Sequence, residues 1–195
     1  MRRARRALGM AGPAACALAL AGCYGSPEPL GPAAQGTVDR ALVGDWRCSS
    51  AGDGSETALV WIFPLDGTQY VVEWRTADET DHYRAHASRA GDETLLNVRE
   101  LTSGRAGEEW YFLRYRIDEG RRLRLSLVDD EALGGLEGEA ALDAIRRRAA
   151  DPALYTDLAV CQAVDRPATS DDEAAAARAV FEKNLEAIAR RDREA

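Results

Sequence analysis

Trp110-Tyr111-Phe112-Leu113-Arg114-Tyr115-Arg116-Ile117-Asp118-Glu119-Gly120-Arg121-Arg122-Leu123-Arg124-Leu125-Ser126-Leu127-Val128 decides the fold class. On both sides of Asp118-Glu119-Gly120 the large apolar residues recur at every second position, the period of a half-buried strand and not of a helix. A three-residue turn with Gly120 in the left-handed region pairs Tyr115 with Leu123, Leu113 with Leu125 and Tyr111 with Leu127, so all six share one face. A two-residue turn would set arginines against leucines, and the pattern therefore selects the longer one. The same register places Arg116 opposite Arg122 and Arg114 opposite Arg124 on the outer face, where facing like charges are mildly destabilising. Acids from neighbouring elements offset them or the patch holds an anion; solvated outward arginines are the simpler reading.

Working outward from this hairpin, period-two apolar spacing punctuated by Gly and Asp turns predicts strands over 43–49, 57–63, 69–75, 82–89, 94–101, 109–117, 123–128 and 156–164. Eight short strands in succession make a mainly β, antiparallel meander. Leu142, Ile145 and Ala149 fall on one helical face, with Pro152 as the stop, and predict a helix before the last strand. Ser170-Asp171-Asp172-Glu173 is a capping box, followed by Ala177, Phe181, Leu185 and Ile188 on one stripe, which predicts a C-terminal helix. Its stripe is expected to pack on the outer face of the sheet, where Trp110 and Phe112 point if Tyr111 and Leu113 point in.

Arg2, Arg3, Arg5 and Arg6 open the chain, and residues 7–22 are uncharged and rich in Ala, Leu and Gly, the layout of a secretory signal. The apolar run is interrupted by Pro13 and is short of the roughly 20 residues a stable membrane span needs. It closes on Leu20-Ala21-Gly22-Cys23, which resembles the lipobox of bacterial lipoproteins. The resemblance implies cleavage before Cys23, lipidation of Cys23, anchoring to a membrane outside the cytoplasm, and, because residue 24 is Tyr and not Asp, sorting to the outer membrane, facing the periplasm. The chain then divides into a signal peptide (1–22), a Pro- and Gly-rich flexible tether (23–37), a β domain (38–167) and the C-terminal helix (168–195).

Removing the signal takes away four arginines and no acids, which moves the formal charge from −8 to −12. So acidic a surface is repelled by phosphate backbones and argues against nucleic acid as a partner. Cys16 leaves with the signal and Cys23 takes the lipid, so Cys48 and Cys161 remain as a pair, in a compartment where a pair is ordinarily a disulfide.

Gly44-Asp45-Trp46, at the start of the first strand, resembles the Gly-x-Trp signature of lipocalins and the wider calycin group. The resemblance implies an eight-stranded up-and-down barrel that takes a small apolar ligand in its mouth and carries a helix against its outside. In a closed barrel the first and last strands are neighbours, which is where Cys48 and Cys161 lie.

No phosphate loop, nucleophile elbow or Cys-x-x-Cys is present. His82 and His86 lie four apart on an expected strand, about 13 Å from each other, too far to share a metal, and read as outward polar residues. Asp129-Asp130-Glu131 reads as a charged turn between strand and helix, not a calcium loop. Glu73 and Glu100 could serve as an acid and base pair only if the fold joined them. No cofactor and no enzymatic activity is expected. Two readings follow. In the first, Tyr70, Val72, Trp74, Tyr83, Ala85, Ala87, Val98, Tyr111 and Tyr115 line a hollow barrel and bind a small apolar molecule, the tyrosine hydroxyls pointing to water or ligand inside. In the second, the barrel is filled and the chain is a structural lipoprotein that docks an envelope protein partner. A void of roughly 300 Å³ or more favours the first.

Overall fold

A computed structural model describes residues 23–52, 54, 57–101, 109–119 and 121–164 of the 195-residue chain. Its strands are β1 (Gly25–Ser26), β2 (Gly44–Ser50), β3 (Thr57–Pro64), β4 (Gln69–Arg75), β5 (Thr80–Ala90), β6 (Glu93–Glu100), β7 (Trp110–Ile117), β8 (Arg122–Val128) and β9 (Tyr155–Ala163). Helices α1 (Asp130–Leu133) and α2 (Gly138–Arg148) lie between β8 and β9. Each strand from β2 to β9 pairs antiparallel with the next, and β9 pairs back to β2, so the eight form a closed up-and-down barrel. This architecture is consistent with the lipocalin-like barrel that the sequence resemblance implies. Closure gives each of the eight strands a neighbour on both sides. Cys48 and Cys161 face each other across the closing β2/β9 pair and are joined by a disulfide that spans 113 residues of sequence.

Strand alternation divides the apolar residues between two cores. Trp46, Cys48, Val60, Ile62, Tyr70, Ala85, Leu96, Leu123, Leu125 and Cys161 point into the barrel. Leu95, Phe112 and Val128 point outward from the same strands and are buried beneath Leu133, Leu142 and Ile145 of the two helices, together with Tyr24 and Leu30. Asp129 caps α1, its carboxylate accepting from the Glu131 N–H at 2.8 Å. The charged turn between strand and helix expected at 129–131 is thus the start of α1. The outer cover over Phe112 comes from α1, α2 and the segment before the barrel; the C-terminal helix expected there lies outside the described residues, as does the signal peptide.

Two expectations are corrected. The β7/β8 hairpin pairs Ile117 with Leu123, Tyr115 with Leu125 and Leu113 with Leu127, two residues away from the register read from sequence. Where the two strands meet, the Asp118 N–H donates to the Arg122 carbonyl at 3.1 Å, the Asp118 carboxylate accepts from the Arg122 N–H at 2.9 Å, and Arg121 takes a φ of 53°. A slip of two returns every side chain to its face, so the apolar pattern could not discriminate between the registers. It does change the arginines. Arg114 now faces Ser126 and lays its guanidinium over the Tyr155 ring at 4.0 Å, while Arg116, opposite Arg124, pairs with Glu93 at 2.5 Å.

The second correction concerns residues 23–37, which are packed and not free. Gly25 and Ser26 pair with Tyr111 and Trp110, and Tyr24 stacks on Phe112 with ring centroids 6.2 Å apart. The Leu30 N–H donates to the Asn97 side chain at 2.7 Å, and His86 Nε2 bonds the Gly31 carbonyl at 2.8 Å. Composition alone suggested a tether; Tyr24 and Leu30 supply apolar surface that repays ordering. His86 therefore points outward, as read, but is covered and not solvated.

Candidate ligand cavity

The two ends of the barrel differ. At one, the chain before β2 crosses the opening and seals it: Leu42 is fully buried, and the Trp46 indole N–H donates to the Leu42 carbonyl at 2.9 Å. Asp39 lies at the centre of this plug. Its N–H donates to the Tyr70 hydroxyl oxygen at 2.5 Å, and its carboxylate accepts from the Tyr115 hydroxyl at 3.0 Å. Burial holds both phenols above their ordinary range, with the Asp39 charge adding to the effect. Tyr70 and Tyr115 were expected among the ligand contacts. They do not line the cavity, and their hydroxyls are satisfied by protein, which removes the argument that these two tyrosines require water or ligand inside.

Toward the opposite end the inner residues leave a cavity of about 130 Å³. Val60, Ile62, Val72, Leu96, Val98, Leu113, Leu125 and Leu127 form its apolar wall, Ala85 leaves room, and Trp74, Tyr83 and Tyr111 provide aromatic surface. Of the residues expected inside, Val72, Trp74, Tyr83, Ala85, Val98 and Tyr111 are brought together here, and Ala87 is not. Leu158 also lines the cavity although its neighbour Ala159 is buried in the inner core. A β-bulge shifts the β8/β9 register between Leu125 and Ser126, pairing them with Ala159 and Asp157 and leaving Leu158 unpaired. No period-two reading of 155–163 could place both residues on the inside.

Glu100, the last residue of β6, is among the described residues the one carboxylate on the cavity wall. Tyr83 sits opposite it, and burial, reinforced by Asp81 and Glu100, pushes the Tyr83 phenol up. Asp81 is pushed up in turn by burial, then by Glu79 and Glu100. Glu79, Asp81 and Glu100 thus stand near one another at this end, beside the apolar interior. Glu73 points outward, toward Arg75 and His82, and so stands on the other face of the wall from Glu100. The two carboxylates expected as a possible acid and base pair are not joined. Among the described residues no three His, Cys, Asp or Glu side chains converge as a metal site.

Cys23 stands close to this end. It bridges to Asp129, immediately after β8 ends, and its thiol is half-buried and pushed up by burial and by the Asp129 charge. No protein-family model, curated protein or solved structure matches the chain.

Proposed function

We propose that the barrel is a binding module for one slim, apolar molecule, carried on a chain anchored through a lipid on Cys23 to a membrane surface outside the cytoplasm, the outer membrane facing the periplasm where there is one. The observation that carries the binding reading is the cavity of about 130 Å³, walled almost wholly by aliphatic and aromatic carbon. That is well short of the roughly 300 Å³ of a drug-sized site. It is close to the roughly 150 Å³ void that stays dry in a protein core and accepts benzene. A single hydrocarbon chain or one small ring is the size class it fits. The anchoring reading is supported by the lipobox-like Leu20-Ala21-Gly22-Cys23.

Titration with medium-chain alcohols and hydrophobic dyes, followed by tryptophan fluorescence, tests the binding reading. A saturable shift that is lost in Trp74→Phe and weakened at least tenfold in Ala85→Leu, which fills the cavity, supports it. No shift with any probe refutes it. Metabolic labelling with a fatty-acid analogue tests the anchor, and label that persists in Cys23→Ser would refute it. The docking reading has one observation in its favour: Leu59 is exposed on the outer wall, in line with the Trp61 and Phe63 rings, which pack 4.7 Å apart.

A further inference from the structure

We infer that the mouth of the barrel, and not its plug, is held against the membrane, and that the cavity takes a single hydrocarbon chain directly from that bilayer. This rests on the reading above, in which the cavity binds and Cys23 carries the anchor.

The inference follows from three placements. The cavity belongs to one end: Trp74 is the next to last residue of β4, Glu100 the last of β6 and Tyr111 the second of β7. The other end is closed by the Asp39 plug, which holds Tyr115, four residues further along β7 from Tyr111 and so about 13 Å away. Cys23 is at the cavity end and is held by its bridge to Asp129. The Tyr24 N–H donates to the Val128 carbonyl at 3.2 Å, and Gly25 is paired with Tyr111, a residue of the cavity wall. Two residues of extended chain span about 7 Å, so a lipid on Cys23 enters the membrane within that distance of the cavity wall. Alternation also puts Cys23 on the face of Gly25 and Tyr111, because Tyr24 between them turns outward onto Phe112.

A hydrocarbon chain that passes from bilayer to cavity across an abutting mouth exchanges one apolar surrounding for another. The same chain approaching through water must first be exposed to it, the step that the hydrophobic effect opposes.

The test uses the chain from Cys23 onward, coupled through that thiol to a maleimide-headgroup lipid in phosphatidylcholine vesicles whose acyl chains are brominated. Bromine quenches tryptophan on contact, and the Trp74 contribution is taken as the difference from Trp74→Phe. A second protein, Cys23→Ser with Arg40→Cys, moves the anchor to an exposed position on the plug. Trp74 quenching at least threefold greater with the Cys23 anchor supports the inference. Equal quenching from both anchors, with dye binding in solution intact, overturns the orientation and leaves the binding reading standing. Quenching only when bromine is confined to the anchoring lipid overturns the bilayer as the source and assigns the cavity to the chain's own lipid. If no dye binds in solution either, the binding reading falls and this one with it.

Discussion

The Tyr115 hydroxyl donates to the Asp39 carboxylate at 3.0 Å across 76 residues of sequence, and this bond fastens the plug to the inside of the barrel. Asp39→Ala leaves the half-buried Tyr115 hydroxyl without its acceptor. The cost of such a group is about 1–3 kcal/mol. Urea denaturation should show that loss for Asp39→Ala and a smaller one for Asp39→Ala combined with Tyr115→Phe, since the double variant has no hydroxyl to strand. A double variant less stable than Asp39→Ala alone would show that the bond is not what holds the plug.

The disulfide between Cys48 and Cys161 links the first and last strands of the closed barrel. A bridge closing a loop of this length restricts the unfolded chain, and removing a native one typically costs about 2–5 kcal/mol. Cys48→Ala with Cys161→Ala should therefore lower the thermal midpoint by well over 5 °C, with the far-ultraviolet circular dichroism of the folded state unchanged. Reduction of the parent protein should reproduce the shift, and a midpoint unaffected by either treatment would contradict it.

His86 gives the fold an acid dependence of its own. Burial holds its imidazole below the ordinary value near 6.5, the Gly31 carbonyl opposes that fall, and the Arg84 charge adds to it. In the window below pH 6.5 the unfolded chain takes up a proton that the folded chain refuses. Stability is therefore complete above that pH and declines as the pH drops toward the folded value. Asp66 and Asp129, which their hydrogen bonds hold below the usual carboxylate range, lose their contribution only in more acid solution, near pH 4 and under. The urea midpoint should fall between pH 7 and pH 5 in the parent and much less in His86→Phe; parallel profiles would rule His86 out as the source.

Phe112 is fully buried between the outer wall and the helical cover, stacked on Tyr24. Phe112→Ala removes a ring from a site that rigid strands keep from collapsing, and such changes cost about 3–5 kcal/mol. Because the same residue holds the segment after Cys23, hydrogen exchange at Gly25 and Ser26 should quicken by more than exchange in β2 to β4. Uniform quickening would mean that the segment and the barrel open as one unit.

The strands and their inward and outward faces were legible in the amino-acid sequence, because a two-residue period and the side chains that sit on it are local properties. Eight expected strands match β2 to β9 to within about two residues at their ends. The pairing of Cys48 with Cys161 was legible for a related reason: only two cysteines remained, and closure makes neighbours of their strands. Four things depended on tertiary structure. The β7/β8 register could not be read, since a shift of two leaves the apolar pattern intact and the turn is decided by Asp118 bonding its own backbone neighbourhood. Leu158 entered the cavity through a bulge, which breaks the period that sequence reading relies on. The Pro- and Gly-rich segment from Tyr24 to Gly31 looked like a tether because its order comes from partners distant in sequence, Phe112, Asn97 and His86. Tyr70 and Tyr115 shared a face with the cavity residues, yet which inward positions border a void depends on where the plug stops, and only the packed barrel decides that.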